Sequence, residues 1–285
     1  MSGSNFNPAF EYEHFTNANF DLELTGLYQF IARDTFIQLN RLFKSADTTI
    51  IDVFFDEKPS HSDNEYTGLF KGKNVIVVMM ETMDDWMITP EDTPAIYQMM
   101  SEGIRFSHMY TPQYSNGYTF NTEFAFHVSA YPYSNGNAAY TLLRNNFDNS
   151  IGNIFASEGY TVNSYHAGLA SYYNRGQMHQ NWGYESYHSF QDYSEPEDAV
   201  FDDRYLVKNS DLFSDITSGS PFFSFVITYS PHLPYSDDDE ITKIALRAYP
   251  EYDVKENREV AILHAKARLT DEMFAQLLIR LEAEG

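Results

Sequence analysis

The sequence contains 285 residues, of which 43% are hydrophobic, so the chain is long enough to bury one large α/β core. Its 18 basic and 41 acidic residues give a formal net charge of −23, which repels the phosphates of DNA and RNA and argues against nucleic-acid binding. The absence of cysteine excludes disulfides, thiolate zinc sites and a cysteine nucleophile. No apolar run approaches the roughly 18 residues that predict a membrane span within this chain.

The N-terminal part of the chain is predicted to be helical. Its apolar side chains fall near one stripe of a helix that should run from about Asp21 to Phe43. These side chains are Leu24, Leu27, Ile31, Leu39 and Leu42. A polar segment with a proline between Asp56 and Tyr66 then predicts an exposed linker. We therefore predict an N-terminal helical extension and linker over residues 1–70, followed by an α/β domain over residues 71–285.

The segment from Asn74 to Glu81 is an apolar run, Asn-Val-Ile-Val-Val-Met-Met-Glu, that ends in a carboxylate. An apolar run without alternation is typical of a strand buried in a parallel sheet. In such sheets, ligands and metals gather just beyond the carboxyl ends of the strands. Because an unpaired buried carboxylate is costly in free energy, we expect Glu81 to have a partner at that position.

The rest of the chain alternates between predicted helices and strands. Helices are expected at residues 94–103, from Thr119 onward, at residues 150–158 and, after a capping box of Asp253 with Glu256, at the C-terminal end. Strands are expected at residues 104–110, 160–165 and 221–229. This alternation predicts a doubly wound, mostly parallel α/β sheet with helices on both faces. No strand follows the last helix, so we expect the α/β domain to be truncated at its C-terminus.

Residues 115–124, Ser-Asn-Gly-Tyr-Thr-Phe-Asn-Thr-Glu-Phe, place a turn-forming Asn-Gly before the helix that starts near Thr119. The free amide hydrogens and the dipole at a helix N-terminus stabilise anions, so the Thr119 oxygen can attack a phosphate there. The commoner role of such a threonine is to cap the helix, and these residues leave both roles open. Glu123 and His127 have the spacing of a metal pair but no third ligand nearby, so we predict packing and surface roles for them.

Glu81 after its strand, together with Thr119, resembles the lipoteichoic acid synthase family, phosphoglycerol transferases of the alkaline phosphatase and sulfatase superfamily. Residues 73–82, Lys-Asn-Val-Ile-Val-Val-Met-Met-Glu-Thr, are similar to a family strand that ends in Glu-Ser. Residues 119–124, Thr-Phe-Asn-Thr-Glu-Phe, are similar to the Thr-Ser-Asp-x-Glu-Phe segment that the family nucleophile opens. The resemblance implies that Thr119 is the nucleophile. It also implies that Glu81 and Thr119 bind a divalent cation, Mn²⁺ or Mg²⁺.

Further similarity to this family lies downstream. Residues 165–166 and 172–175, Tyr-His and Tyr-Tyr-Asn-Arg, are similar to the family's histidine and its Phe-Trp-Asn-Arg segment. Residues 228–235, Thr-Tyr-Ser-Pro-His-Leu-Pro-Tyr, resemble its Ser-Asn-His-Phe-Pro-Phe loop. By this resemblance the substrate-binding residues are His166, Tyr173, Asn174, Arg175 and His232. An arginine fork can bind two oxygens of a phosphodiester, and histidines can donate to a third oxygen or protonate the leaving alkoxide.

Structural roles remain open for the same side chains, and the chain also departs from the family pattern. His166 can be a hydrogen-bonded histidine at a strand end, and Arg175 can pair with a surface acid. Asn121 stands where the family has an aspartate, and Gly168 where it has an acid near the histidine. The family's Asp-His metal ligands follow the helix that the C-terminal end of this chain resembles. The resemblance therefore implies an incomplete metal site and low activity for this chain.

The sequence thus predicts a metal-dependent phosphoglycerol transferase or phosphodiesterase that acts on a phosphoglycerol-bearing lipid or glycan. By resemblance, the full-length protein is membrane-anchored and extracytoplasmic. Sulfate-ester chemistry needs a Cys/Ser-x-Pro-x-Arg segment, and the sequence has none. The alternative is a truncated, non-catalytic module that binds an anionic envelope polymer through Arg175 and the tyrosines near it.

Overall fold

A computed structural model describes residues 18–43, 48–58, 62–110, 119–131, 138–195 and 199–284. The chain divides into two compact units. One comprises Met1–Gly72 with Tyr133–Asn137, and the other comprises Lys73–Pro132 with Ala138–Gly285. None of the helices in the described ranges combines the length and the apolar character needed to cross a membrane.

The described part of the first unit is helical. Its helices are α1 (Ala18–Thr25), α2 (Leu27–Phe43) and α3 (Thr49–Glu57). The single helix predicted from about Asp21 is therefore interrupted at Gly26, whose φ of +76° is a left-handed value that glycine adopts without steric cost. Most of the predicted apolar stripe is exposed. The exposed side chains are Leu24, Leu27, Ile31 and Leu39.

The second unit alternates strands with helices. Its strands are β1 (Val75–Met79), β2 (Thr161–His166), β3 (Ser186–Ser189) and β4 (Phe222–Ile227). Its α-helices are α4 (Pro94–Glu102), α5 (Thr119–Val128), α6 (Ala138–Thr141), α7 (Ile151–Ser157), α8 (Arg175–Asn181), α9 (Tyr205–Lys208), α10 (Ser210–Ile216), α11 (Glu240–Ala248) and α12 (Arg258–Glu284). Short 3₁₀ turns cover Asp85–Met87, Tyr172–Asn174, Phe190–Tyr193 and Pro250–Tyr252.

The strands form one parallel sheet in the spatial order β1-β4-β2-β3. Every residue of β4 is buried, which fits its central place and its apolar sequence Phe-Phe-Ser-Phe-Val-Ile. Alternate residues of the sheet face two separate cores. Val226 and Tyr165 pack in a cluster with Met273 of α12, whereas Phe225 packs in another with Phe120 of α5. Helices therefore cover both faces, and the predicted α/β fold class is confirmed.

Two predicted helix starts are confirmed, although they are capped differently. Helix α7 begins after Ser150, whose side chain accepts from the backbone N–H of Asn153, as expected of an N-cap. Helix α4 begins at Pro94 and ends just before Gly103. The hydroxyl of Thr93, which we expected to cap this helix, instead donates to the carbonyl of Met87 at 3.2 Å.

Two further local predictions were wrong, and one strand was not predicted. Residues 104–110 form no strand, because none of the described strands pairs with them. Their apolar side chains are exposed. The polar strand β3, Ser-Tyr-His-Ser, was missed because its side chains carry no apolar pattern and pairing with β2 alone defines it. Helix α12 begins at Arg258, so Asp253 and Glu256 do not form its capping box. Asp253 instead accepts a hydrogen bond from Arg258 at 2.8 Å.

Gly183 allows a close approach of two backbone segments. It has φ +96°, and a Cβ there would lie 2.4 Å from the backbone nitrogen of Asn153. Gly159 has a similar φ of +83°, but a Cβ there would meet nothing within 4 Å. We predict that Gly183→Ala lowers the free energy of unfolding by about 3 kcal/mol or more, through clash and strain together. Gly159→Ala should cost about 1 to 2 kcal/mol from backbone strain alone. Urea denaturation of both variants checks this, and equal losses would contradict it.

Candidate active site

The carboxyl ends of three neighbouring strands lie level with one another. Met79 at the end of β1 pairs with Ile227 of β4, and Ile227 pairs with His166 of β2. Because adjacent strands are about 4.8 Å apart, the segments that leave these three strands start within about 10 Å of one another. These segments carry Glu81 and Thr228. Polar side chains therefore collect at the edge where the sequence predicted a ligand site.

Glu81 and Thr119 are in contact at this edge. Thr119 is the first residue of α5, and its Oγ1 donates to Oε2 of Glu81 at 2.8 Å. Thr82 donates to the other carboxylate oxygen, Oε1, at 3.0 Å. The backbone N–H of Glu81 donates to Oγ1 of Thr228 at 2.9 Å. The fold thus joins two side chains that lie 38 residues apart in sequence, whereas the Asn-Gly turn before Thr119 lies outside the described residues.

Thr82 has a left-handed backbone conformation. Its φ is +55°, which costs free energy for a residue that carries a Cβ. This strain places its hydroxyl against the carboxylate of the residue before it. Strained backbone conformations cluster at functional sites, which supports a functional role for this turn.

Glu123 lies one helical turn after Thr119 on α5 and is fully buried, so of the predicted packing and surface roles it has the packing one. Arg175, whose side chain is 2% exposed, donates to it from Nη2 at 2.6 Å and from Nε at 3.0 and 3.1 Å. Burial alone would raise the pKa of Glu123, but the charge of Arg175 and hydrogen bonds from His179 and Arg175 hold it well below its usual range. Both groups are therefore charged inside the protein.

His166 is buried and neutral. Its Nδ1–H donates to the carbonyl of Ile227 at 3.0 Å. Burial and the nearby charge of Arg175 lower the pKa of His166 to about 4. Its Nε2 has no hydrogen-bond partner among the described residues, and a neutral ring presents a lone pair at that atom. The ring can therefore accept a proton from a bound hydroxyl, whereas donation to a phosphate requires its protonation.

Tyr229 lies between the two predicted histidines. Its ring stacks on that of His232 with the centroids 4.9 Å apart, and its centroid lies 6.3 Å from that of His166. Nδ1–H of His232 donates to the carbonyl of Leu233 at 2.6 Å, which leaves Nε2 as its free ring nitrogen. The structure therefore places both histidines along one row of aromatic rings at the carboxyl edge of the sheet.

The loop that carries His232 is held by two buried charged residues that sequence reasoning missed. Asp203 accepts from the backbone N–H of Tyr229 at 2.7 Å and of Ser230 at 3.1 Å. Lys266 of α12 donates to the carbonyl of His232 at 2.9 Å. Nothing in the local pattern marked either residue, because their partners are backbone groups of a distant segment. Only the fold brings them together.

Tyr173 and Asn174 shape the start of α8. Both have left-handed backbone conformations, with φ of +55° and +50°, immediately before Arg175. The Tyr173 ring lies 5.1 Å from the guanidinium carbon of Arg175, a cation–π contact. Asn174 donates from Nδ2 to the carbonyl of Ala139 at 3.2 Å. These contacts orient the chain so that Arg175 points into the protein.

The described residues contain no cluster of three or more histidine or acidic side chains arranged to hold a metal ion. Glu81 and Thr119 nevertheless bring two oxygen atoms to a separation of 2.8 Å. Adjacent ligands of an octahedral Mg²⁺ ion, at about 2.0 to 2.1 Å from the metal, are about 3 Å apart. The pair therefore fits one edge of such a shell, and the described residues provide only that edge.

The second unit is similar to known proteins. A model of the sulfatase family matches residues 73–285. The lipoteichoic acid synthase-like protein YvgJ of Bacillus subtilis is 25% identical over 94% of this chain and 45% of its own length. The lipoteichoic acid synthase of Staphylococcus saprophyticus is 25% identical over 73% of this chain and 34% of its own length. The chain thus spans less than half of the length of these two relatives.

A solved structure has a similar fold. The crystal structure of the lipoteichoic acid synthase LtaP from Listeria monocytogenes matches with a TM-score of 0.59 and 18% identity, over 78% of this chain and 56% of that one. At this identity the likeness concerns the fold. Together with the sequence matches, it confirms the resemblance that residues 73–82 and 119–124 indicated.

The buried neutral histidines predict a stability that depends on pH. Burial first of all lowers the pKa of His127 to about 3, that of His166 to about 4, and that of His179 below its usual value. Unfolded histidine titrates near 6.5, so between about pH 6.5 and 4 the unfolded state binds more protons and the free energy of unfolding falls as the pH falls. Each histidine contributes about 1.4 kcal/mol per pH unit, and Asp203, whose pKa burial raises to about 6, offsets one of them.

We therefore expect urea unfolding at pH 5.0 to give a markedly lower free energy of unfolding than at pH 7.0. The variant His108→Gln is the control, because the side chain of His108 is exposed and its replacement should leave the difference unchanged. Equal or greater stability at pH 5.0 would contradict the assignment of neutral buried rings.

Proposed function

Because the chain belongs to the sulfatase family, we propose that it transfers or hydrolyses phosphoglycerol-type phosphodiesters of the cell envelope. The contact between Thr119 and Glu81 carries this proposal, because it places a hydroxyl at a helix N-terminus with its proton directed to a carboxylate. Similarity to lipoteichoic acid synthases supports the substrate class.

In the first step, Oγ1 of Thr119 attacks phosphorus and passes its proton toward Glu81. The bond between phosphorus and the leaving alkoxide breaks, and the alkoxide takes up a proton from water or from protonated His232. The product is a phosphothreonine ester at the N-terminus of α5. The dipole of α5 at that helix end stabilises the negative charge that develops on the phosphoryl oxygens.

In the second step, water or a glycerol hydroxyl attacks the phosphothreonine ester. The bond between phosphorus and Oγ1 of Thr119 breaks, and Oγ1 takes back the proton from Glu81. The free Nε2 of His166 supports a role as the acceptor of the attacking hydroxyl's proton, since the ring is neutral and its other nitrogen is already bonded. Tyr173 and Asn174 shape the phosphate site through their position next to Arg175. Water as the acceptor gives hydrolysis, and glycerol gives transfer.

We further propose that a divalent cation, Mn²⁺ or Mg²⁺, binds at Glu81 and Thr119. Their two oxygen atoms have the spacing of neighbouring ligands, and hard oxygen ligands suit these ions. When bound, the ion would favour the deprotonated form of the Thr119 hydroxyl. Two protein ligands predict weak affinity, so the assays below use millimolar Mn²⁺.

The donor in this proposal is a phosphoglycerol-bearing lipid or glycan, which places the full-length protein at the outer face of the cell membrane or in the cell envelope, anchored to the membrane. Residues 71–285 would form the catalytic domain and residues 1–70 its N-terminal extension. The net charge of −23 is consistent with a partner other than nucleic acid.

The rival hypothesis, a non-catalytic module that binds an anionic polymer through Arg175, is less well supported. The Arg175 side chain is 2% exposed and one of its forks is taken by Glu123, so it can meet a single phosphoryl group in a pocket but does not offer a surface for a polymer. A polymer-binding surface would present several exposed cations, as phosphate-binding surfaces generally do.

Replacement of Thr119 tests the nucleophile. We expect Thr119→Ala to lower the rate of hydrolysis of a chromogenic phosphodiester, in millimolar Mn²⁺, by about 10³-fold or more, because it removes the attacking oxygen. Thr119→Ser keeps a hydroxyl at the same place and should retain much of the activity. A Thr119→Ala variant as active as the unmodified protein would exclude the proposed mechanism. Polymer binding by a protein without any activity would favour the rival module.

A further inference from the structure

The carboxylate of Glu123 has no part in the proposed reaction, yet it is among the most completely enclosed charges in the described residues. It accepts from Nε and Nη2 of Arg175 and from Nε2 of His179, the last at 3.2 Å. Burial of a charge is costly, so these partners are needed to keep it ionised. The arrangement calls for an explanation beyond packing.

Glu123 fixes the direction of the Arg175 guanidinium. An arginine can present a fork from Nε with one Nη, or from its two Nη atoms, and it carries five N–H groups in one plane. Glu123 occupies the first fork, so the outer N–H groups belong to Nη1 and to the far side of Nη2, and the Tyr187 hydroxyl also bonds to this guanidinium. The remaining fork is geometrically suited to bind two oxygens of a phosphate. The Tyr173 ring at 5.1 Å from the guanidinium carbon restricts its tilt.

His179 holds Glu123 in this position. Its Nε2 faces the Glu123 carboxylate, which can only accept, so Nε2 carries the proton and donates to Glu123. Its Nδ1 lies 2.8 Å from the hydroxyl oxygen of Ser164. Burial lowers the pKa of His179, so the ring is neutral and its tautomer is fixed. Because Arg175 and His179 lie one turn apart on α8, both side chains reach the same carboxylate.

The same network connects the elements that carry the proposed site. Glu123 lies four residues after Thr119 on α5, and Arg175 begins α8. Ser164 lies two residues before His166 on β2. One buried carboxylate therefore ties together the positions of the nucleophile, the phosphate-binding arginine and the proposed proton acceptor.

We propose that Glu123 is a positioning residue that aims the outer fork of Arg175 at the phosphoryl group above Thr119. This inference rests on the proposed function for the identity of the anion. A shift of about 1 Å in the guanidinium would lower the turnover number by about 10²-fold, because reacting groups tolerate little misplacement.

The control is a second arginine–carboxylate pair with a similar fork, in which Asp202 is buried whereas Arg204 is 12% exposed and also pairs with Glu272. Arg204 donates to Asp202 from Nε at 3.0 and 3.1 Å and from Nη2 at 2.7 Å, and the described structure places neither residue at the proposed site. Glu123→Gln and Asp202→Asn each remove one charge from a fork of the same kind. Comparison of the two variants separates the loss of Arg175 positioning from a general loss of stability.

The measurements are the affinity for inorganic phosphate by calorimetry and the kcat and KM for a chromogenic phosphodiester, below the unfolding temperature of each variant. For Glu123→Gln we expect phosphate affinity to fall by about 10-fold or more and kcat by about 10²-fold. For Asp202→Asn both should stay within about twofold of the unmodified protein, whatever the loss of thermal stability. If Glu123→Gln binds phosphate as tightly as the unmodified protein, or more tightly, the proposal is overturned. That result is expected if Glu123 only repels the phosphate by its charge and does not position Arg175.

Glu123→Asp covers the case in which Glu123→Gln does not fold. It keeps the charge but shortens the reach by one methylene, so the positioning role predicts the same losses, whereas full activity would overturn it. Arg175→Lys should lose phosphate affinity to a similar extent, and the double variant Glu123→Asp/Arg175→Lys should be no worse than Arg175→Lys alone.

Phosphate affinity also separates this proposal from the proposed function. A protein without turnover would refute the Thr119 mechanism, while loss of phosphate binding in the Glu123 variants alone would still support positioning of Arg175. If the unmodified protein binds no phosphate, Arg175 has no anion to receive and the proposal is overturned.

Discussion

A fully buried carboxylate must be paired, and in this protein that requirement sets the relation between α5 and α8. Glu123 is paired with Arg175, and both side chains are almost completely buried. Because α5 starts with Thr119, one ion pair also determines where the nucleophile candidate stands relative to the arginine. The rest of the site is arranged around this fixed pair, since the strand that carries His166 is joined to it through Ser164 and His179.

The opposite side of the site is held by backbone contacts. β1, β4 and β2 end in register, so the segments that follow them meet at one edge. Asp203 and Lys266 then bind backbone groups of the loop that carries His232. These two charges come from segments that pack on the sheet rather than from the loop itself. The position of His232 therefore depends on contacts with segments that are distant in sequence.

The surroundings of His166 favour a neutral ring, which differs from the role that the family resemblance implies. The resemblance assigned His166 to binding the substrate phosphate. Burial and the nearby arginine favour its neutral form, and a bond to a carbonyl occupies Nδ1. A neutral imidazole with a free Nε2 is suited to accept a proton rather than to donate one to a phosphate. The charge state follows from surroundings that the local sequence does not reveal.

The sequence by itself determined the parallel α/β class, the strand that ends before Glu81, the helix that starts at Thr119 and the family resemblance, because apolar runs, turn residues and helix starts are local signals. It did not determine the polar strand β3 or the fate of residues 104–110, because strand formation depends on a partner elsewhere in the chain. Only the tertiary structure decided that Glu123 is buried with Arg175 and that Glu81 contacts Thr119, since these contacts join segments 52 and 38 residues apart. Packing, which no local pattern encodes, brings those side chains together.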